Sequence, residues 1–90
     1  MTPEDRLKAL GLTLPNAPVP VANYVPARFA GNLLYLSGQG PKRADGTYRH
    51  GRLGRDMSIE DAYQEARRTG LNMLAVAKAA LGDLSRIEAV

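Results

Sequence analysis

The chain contains no cysteine and only one histidine, His50, among its ninety residues. Without cysteine it can form no disulfide, no thiolate metal site and no cysteine nucleophile. The carboxylates near His50 do not have metal-ligand spacing around it, and this histidine is the only candidate base for a catalytic triad. We therefore expect no metal site and no Ser-His-Asp triad, and we interpret His50 as a solvent-exposed loop residue.

Long apolar runs are also missing. No stretch approaches the ~18 apolar residues that a membrane span needs, and the N-terminus lacks the basic start and apolar core of a signal peptide. Positive charge is only slightly in excess, with 12 basic and 9 acidic residues and a net charge of +3. That excess is compatible with nucleic acid without indicating it. Together with the absence of cysteine, these features predict a globular domain, or part of one, in the cytoplasm and away from membranes.

The first 23 residues predict a short helix followed by an extended arm. Thr2 is placed to cap the helix, Pro3 suits its first turn, and Gly11 can end it in a left-handed conformation. Residues 12–26 are expected to run extended because they are rich in proline. The arm is either a linker or an ordered segment that carries Tyr24 to a site. Four of the six prolines lie in it, namely Pro15, Pro18, Pro20 and Pro26.

The next segment predicts a β-hairpin. Two β-prone runs, residues 24–30 and 33–37, are joined by Gly31-Asn32, which favours a type II′ turn. The run 33–36 is apolar at every position, as in a strand that is covered on both faces. One face could pack on a helix of the same chain, and the other needs a second layer such as another subunit.

Residues 38–56 are rich in glycine, arginine and lysine, with a predicted turn at Asp45-Gly46 and a possible short strand over residues 47–53. A long helix is predicted over residues 59–81, where Ser58 and Asp61 resemble a capping box and Gly82 ends the helix. After it, residues 84–90 alternate as at the start of a further strand. This order predicts an α+β architecture with a helix packed on one face of a sheet.

Apolar and small residues recur along the long helix at steps of three or four and predict one buried stripe. Gly70 lies in the middle of this stripe, where we expect a close approach of the helix to the sheet. The polar residues Glu65 and Asn72 fall largely off the stripe. The stripe comprises Ile59, Ala62, Tyr63, Ala66, Gly70, Met73, Leu74, Ala77 and Leu81.

A basic cluster and a strand end are the two features that could carry chemistry. The basic cluster is either an anion or nucleic-acid surface or a solvated loop. At the strand end, Gly38 lets a ligand approach the backbone and the Ser37 hydroxyl can orient it, although a plain strand-to-loop transition has the same residues. The basic cluster comprises Lys42, Arg43, Arg49, Arg52 and Arg55.

These features, in this order, resemble the reactive-intermediate deaminase family, also called the Rid, YjgF-like or L-PSP family. The resemblance spans nearly the whole chain. It is carried by Tyr24 on an arm before a hairpin, by the strand end Leu36-Ser37-Gly38-Gln39 and by the helix segment Asn72-Met73-Leu74. The N-terminal Arg6-Leu7-Lys8-Ala9-Leu10-Gly11 is similar to one subgroup of that family.

The resemblance implies a chorismate-mutase-like α+β fold and a homotrimer with ligand clefts between subunits. The implied activity is hydrolysis of enamine or imine intermediates, such as 2-aminoacrylate, to a keto acid and ammonia, with no metal or organic cofactor. Tyr24, Ser37 and Gly38 match substrate-pocket positions of the family. The family's carboxylate-gripping arginine and water-positioning glutamate have no match, because Arg86 and Glu88 come too early in the motif order.

Residues 1–90 are therefore expected to form a single incomplete domain that lacks its C-terminal part, with the helix and arm in residues 1–23 and the remaining elements in residues 24–90. The catalytic arginine and glutamate are expected beyond Val90, so the ninety-residue chain alone should be inactive and poorly folded. Two alternatives stay open. One is a non-catalytic small-molecule-binding or scaffold trimer of the same fold, and the other is an RNA-associated protein that binds through the basic cluster, although nucleic acid is the less expected partner.

Overall fold

A computed structural model describes residues 1–17 and 23–90. These residues contain two α-helices, a two-stranded antiparallel sheet and one 3₁₀ helix, which confirms the α+β class. The predicted extended course of Pro18 and Pro20 lies outside the described residues. In chain order the elements are α1 Pro3–Ala9, β1 Ala27–Ala30, β2 Leu33–Leu36, α2 Ile59–Leu81 and the 3₁₀ helix Leu84–Arg86.

The N-terminal helix α1 has the predicted caps at both ends. The Thr2 hydroxyl accepts a hydrogen bond from the Asp5 N–H, and the Asp5 carboxylate accepts one from the Thr2 N–H, both at 3.1 Å. At the other end Gly11 has φ +73°, and the Leu12 N–H donates to the Leu7 carbonyl at 2.9 Å. This Schellman arrangement satisfies helix carbonyls that would otherwise lack partners. Local sequence is enough to define α1.

The hairpin forms with the predicted two-residue turn. Ala30 pairs with Leu33 across the turn, and Gly31 has φ +61° while Asn32 does not have a positive φ. A type II′ turn needs the left-handed conformation at its first central position only, so the turn type is confirmed. Leu34 and Leu36 are half-buried, and helix α2 contacts both strands. The alternate residues of β2 are exposed, so this chain covers one face of the strand.

Helix α2 begins and ends at the predicted residues. Ser58 accepts a hydrogen bond from the Asp61 N–H at 3.1 Å, and Gly82 ends the helix with φ +82°. The second half of the expected capping box is replaced, because the Asp61 carboxylate accepts from Arg49 at 3.1 Å instead. The helix boundaries therefore follow from local sequence, whereas the partner of Asp61 is decided by the preceding loop.

The buried side of α2 differs from the predicted stripe. Ile59 and Tyr63 are 78% and 66% exposed. Gly70 is exposed as well, and a side chain there would meet nothing within 4 Å, so the expected close approach is absent in this chain. Glu65 and Asn72 are buried instead, because the loop that precedes α2 packs on their side of the helix.

Two predicted strands do not form. Residues 47–53 contain no strand, and the only pairing near them is a single bridge between Leu53 and Met57. After α2, Asp83 caps the 3₁₀ helix by accepting from the Ser85 N–H at 2.9 Å, and residues 87–90 have no strand partner among the described residues. A strand needs a neighbour to satisfy its backbone groups, and the described residues supply none there. The Asp45-Gly46 turn is present as predicted, since the Gly46 N–H donates to the Arg43 carbonyl at 2.9 Å.

The apolar core is small: one of its five residues, Met57, directly precedes the N-cap of α2, and the other four lie at the C-terminal end of α2 or in the 3₁₀ helix that follows. There, α1 and α2 each contact the 3₁₀ helix, and the Leu84 N–H donates to the Glu4 carboxylate at 2.7 Å. The Cα radius of gyration is 14.4 Å, larger than the ~12 Å of a compact chain of this length. No helix among the described residues is long and apolar enough to cross a bilayer. The buried apolar residues are Met57, Ala75, Val76, Ala77 and Leu84.

Candidate functional site

The open end of the hairpin brings the Tyr24 arm next to the end of β2. The Ser37 N–H donates to the Pro26 carbonyl at 2.9 Å, and the Ser37 hydroxyl donates to the Val25 carbonyl. These two bonds continue the pairing of the strands beyond their last residues and hold the arm against the strand end. Tyr24, the neighbour of Val25, is 44% exposed. Two of the predicted pocket residues therefore lie on adjoining segments.

Ser37 and Gly38 present complementary polar groups. The single hydroxyl hydrogen of Ser37 is used on the Val25 carbonyl, so the oxygen remains available as an acceptor. The Gly38 N–H has no backbone partner among the described residues, and a side chain at Gly38 would meet nothing within 4 Å. The Ser37 oxygen can thus accept a hydrogen bond, and the Gly38 N–H, which has no backbone partner within residues 1–17 and 23–90, can donate one. The assignment of these residues to a substrate pocket stays a prediction.

Two buried polar side chains of α2 hold the loop that follows the strand end. Asn72 is 1% exposed, and its side-chain amide donates to the carbonyls of Gly40 at 2.9 Å and Lys42 at 3.2 Å. Glu65 is 9% exposed and accepts from Arg43 at 3.2 Å and from Arg68 at 3.3 Å. The helix periodicity places both residues off the predicted buried stripe, so neither is predicted to be buried. Their spacing of seven, which places them on one helix face, was the available signal.

The basic cluster is partly neutralised by helix α2. Arg43 pairs with Glu65, and Arg49 pairs with Asp61 at 3.1 Å. Arg55 has only Asp56 at 3.8 Å, and both side chains are mostly exposed. Lys42 and Arg52 form no ion pair within residues 1–17 and 23–90. The structure thus directs two of the five cations toward the protein and leaves the others on the surface.

The remaining polar groups of the loop form local contacts. His50 is exposed, and its ring lies 6.3 Å from that of Tyr48, centroid to centroid. Hydrogen bonds from the Thr47 hydroxyl and backbone N–H lower the pKa of Asp45 below its usual value. No group of three or more potential metal ligands occurs in the part of the chain that the structure describes.

Two clefts of this chain lie away from the predicted pocket residues. One, of about 560 Å³, lies between α1 and Lys78, and another, of about 440 Å³, is lined by Asn16, Lys42 and Asn72. Neither is lined by Tyr24, Ser37 or Gly38. The arm at Tyr24 and the strand end at Ser37 and Gly38, which we call the proposed pocket wall, are thus separate from these two clefts.

Comparison with known proteins gives consistent matches over this fold. The structure resembles one described as a "putative endoribonuclease" from Shewanella oneidensis, with a TM-score of 0.92 and 40% identity over 100% of this chain and 60% of that chain. It also resembles the Agrobacterium tumefaciens protein Atu1372, of unknown function, with a TM-score of 0.80 and 48% identity over 97% of this chain and 53% of that chain.

Protein TCP17 of Trypanosoma cruzi is 38% identical over 84 residues, which are 93% of this chain and 52% of that protein. The chain thus spans between half and three fifths of the length of these relatives. Residues 4–90 match the model of a family described as "YjgF/chorismate mutase-like, putative endoribonuclease". With its capped helices, type II′ hairpin and long helix against the sheet, the chain belongs to the YjgF/chorismate mutase-like family.

Proposed function

We propose that the assembled protein hydrolyses small imines or enamines that carry a carboxylate, of the 2-aminoacrylate type, to a keto acid and ammonia. The observation that carries this proposal is the pairing of Ser37 with the Val25 carbonyl, which brings the Tyr24 arm to the Ser37-Gly38 strand end. In this reaction an enamine first tautomerises to the imine. Water then adds to the carbon of the C=N bond, the C–N bond breaks as the C=O bond forms, and both hydrogens of the water leave on the ammonia. No oxidant or reductant is consumed.

Each proposed pocket residue has a role that its contacts allow. The Ser37 oxygen accepts a hydrogen bond from the substrate nitrogen, because its own hydrogen is already donated to Val25. The Gly38 N–H donates to the substrate carboxylate, since it has no backbone partner among the described residues. The Tyr24 ring forms a side of the cleft. The arginine and glutamate of the family resemblance are supplied by polypeptide beyond residue 90.

We further propose that the protein works as a homotrimer with clefts between subunits. The support is the outward face of β2, where Leu33 and Tyr35 are 55% and 59% exposed although a strand of this composition favours burial on both faces. A second subunit would cover this face. Light scattering of the purified protein should give three times the mass of one chain, and Tyr35→Glu should lower it toward one, whereas Tyr63→Glu on helix α2 should not.

The activity is tested with 2-aminoacrylate generated in situ from serine. We expect ammonia and keto acid to appear faster with the purified gene product than without it. Ser37→Ala should lower kcat/KM by about tenfold because the acceptor is lost, and Tyr24→Phe should change it less. The matched controls Ser85→Ala and Tyr63→Phe, at exposed residues of the 3₁₀ helix and of α2, should leave it unchanged. Saturable carboxylate binding without any turnover would instead support the non-catalytic binder.

A second candidate function is RNA binding. It is favoured by the surface cations of the basic cluster and by the name of the Shewanella relative, which is called an endoribonuclease. Against it, Arg43 and Arg49 are paired with helix carboxylates. RNA affinity that falls steeply with salt, and falls again in Arg49→Ala, Arg52→Ala and Arg55→Ala variants, would support it. The deaminase proposal expects no such affinity at physiological salt.

A further inference from the structure

The loop that follows the proposed pocket wall has little backbone structure of its own. At its start the Ser37 N–H bonds the Pro26 carbonyl, and at its end the Arg43 N–H bonds the Thr47 carbonyl, both at 2.9 Å. Between them, residues 38–42 form no backbone–backbone hydrogen bond with any described residue. The position of this segment, including the Gly38 N–H, must therefore be decided by side chains.

One side chain meets this need from helix α2. Asn72 is 1% exposed, and its side-chain nitrogen donates its two hydrogens to the Gly40 and Lys42 carbonyls. Buried carbonyls without partners are costly, and a primary amide is the neutral side-chain group that offers two donors on one nitrogen. Asn72 thus supplies the loop with the bonds that a neighbouring strand would supply to a β-strand.

The opposite side of the loop is also in contact. A side chain added at Gly40 would lie 3.0 Å from the Tyr48 ring, so glycine allows the loop to lie directly against that ring. At the loop's end, Arg43 is held by the buried carboxylate of Glu65 at 3.2 Å. Asn72 and Glu65 lie two helical turns apart on one face of α2. The loop is therefore fixed at two points along a rigid helix.

We propose that Asn72 is a positioning residue for the pocket. By bonding two carbonyls of the 38–42 segment it sets the place and direction of the Gly38 N–H and of the Ser37 strand end, without touching substrate itself. The inference rests on the proposed function for its catalytic consequence, whereas the anchoring of the loop can be measured independently. It adds a residue of the long helix to a site that the sequence placed on the arm and strand end alone.

The anchoring is tested by limited trypsin digestion, because Lys42 and Arg43 are cleavage sites inside the loop. Asn72→Asp replaces the donors with a carboxylate facing two carbonyl oxygens, and Asn72→Ala removes them without adding charge. We expect cleavage after residues 42 and 43 to become about tenfold faster in both variants, since it follows the population of the open loop. Cleavage after Arg6 and Lys8 in α1 should not change and is the internal reference. Gln64→Glu, an amide-to-carboxylate change on the exposed side of α2, is the matched control.

The catalytic consequence is tested on the same proteins at a temperature where their helical circular dichroism equals that of the wild type. We expect kcat/KM for the imine substrate to fall about tenfold in Asn72→Asp and Asn72→Ala, because a displaced donor binds the substrate poorly. Val76→Ala removes buried apolar atoms one turn further along the same helix and leaves the Asn72 amide in place, so it should keep wild-type kcat/KM. That comparison separates positioning from a general loss of stability.

The possible results are distinguishable. Unchanged cleavage after residues 42 and 43 would overturn the anchoring role. Faster cleavage with wild-type kcat/KM would overturn the positioning role and leave the proposed function standing. A wild-type protein without turnover would overturn the proposed function and the catalytic part of this inference together, while the cleavage rates would still decide whether Asn72 holds the loop.

Discussion

The two ends of helix α2 carry the same type of apolar pattern and bury it differently. At its C-terminal end, which we call the covered end, Val76 and Ala77 are 2% and 5% exposed. The 3₁₀ helix, which also contacts α1, contacts α2. Along residues 59–74, which we call the open end, Ile59, Tyr63 and Leu74 are 78%, 66% and 36% exposed. The open end contacts its own chain through the polar residues of its other face.

This difference shows that helical periodicity marks which residues can be buried, and that the neighbouring elements decide which ones are. The covered end contains buried apolar residues of α2 and Leu84 of the 3₁₀ helix, which contacts both α1 and α2. The open end is attached by the amide of Asn72 and the carboxylate of Glu65. We therefore expect substitutions of apolar residues to be costly at the covered end and nearly neutral at the open end.

The largest effect is expected from Val76→Asp, which places an unpaired carboxylate in the core at a cost of about 3 kcal/mol or more. The helical circular dichroism of the variant should be largely lost at 25 °C. Ile59→Asp makes a comparable change at the open end, at an exposed helix N-terminus that tolerates negative charge. Its stability should stay within about 0.5 kcal/mol of the wild type. Equal losses of stability in the two variants would contradict the difference between the covered and open ends.

Leu84→Ala should have the next largest effect. Leu84 is 3% exposed where the chain returns onto α1, and truncation of a buried leucine costs about 2 to 4 kcal/mol. The urea midpoint of the variant should fall accordingly. Leu53→Ala is the matched control and should shift the midpoint little, because Leu53 is 61% exposed in the loop that precedes α2. A larger shift in the control than in Leu84→Ala would contradict the assignment of the core.

Glu4→Ala should weaken the attachment of α1 to the covered end by about 1 kcal/mol. The Glu4 carboxylate accepts from the Leu84 N–H at 2.7 Å and lies 3.9 Å from the Lys78 ammonium. Glu4→Gln keeps an acceptor for the Leu84 N–H, so it should recover most of the loss. Thermal unfolding of the two variants, with Glu88→Ala as the exposed control, measures the difference. Equal destabilisation by Gln and Ala would assign the effect to charge alone.

The smallest effect is expected from Asp83→Asn, and it is lost in acid. Hydrogen bonds from the Ser85 backbone N–H and hydroxyl lower the pKa of Asp83 below its usual value of 3.8. A lowered pKa contributes stability that is fully present above pH 3.8 and is lost as the pH falls through the folded-state value. The stability difference between wild type and Asp83→Asn should therefore be constant above about pH 5 and shrink in stronger acid.

Asp45, in the loop that precedes α2, resembles Asp83, because hydrogen bonds from Thr47 also lower its pKa. Asp45→Asn should show the same dependence on pH as Asp83→Asn, because both turns are local and do not depend on which end of α2 is covered. Urea unfolding at several pH values measures both variants. A difference that grows in acid would reverse the sign and contradict the assigned hydrogen bonds.

Much of the local structure could be predicted from the sequence. Thr2, Gly31, Ser58 and Gly82 act where their residue types are favoured, so the helix boundaries and the hairpin turn follow from short-range chemistry. The strand predicted over residues 47–53 was wrong, and residues 87–90 have no strand partner among the described residues, because a strand depends on a distant partner. The neighbourhood of Tyr24 and Ser37 followed from a family resemblance rather than from spacing.

Asn72 and Glu65 are buried although helix periodicity alone does not predict it, because their spacing of seven puts them on one face without saying what that face contacts. A polar residue in a helix favours the solvent side unless a partner is known, and their partners lie about twenty to thirty residues earlier in an irregular loop. The sequence by itself determined the capped helices, the turn and the absence of cysteine chemistry, since these depend on residues within a few positions of one another. Only the tertiary structure decided which face of α2 is buried, which arginines are neutralised and what holds the 38–42 segment, because those outcomes depend on which distant groups satisfy one another's hydrogen bonds and charges.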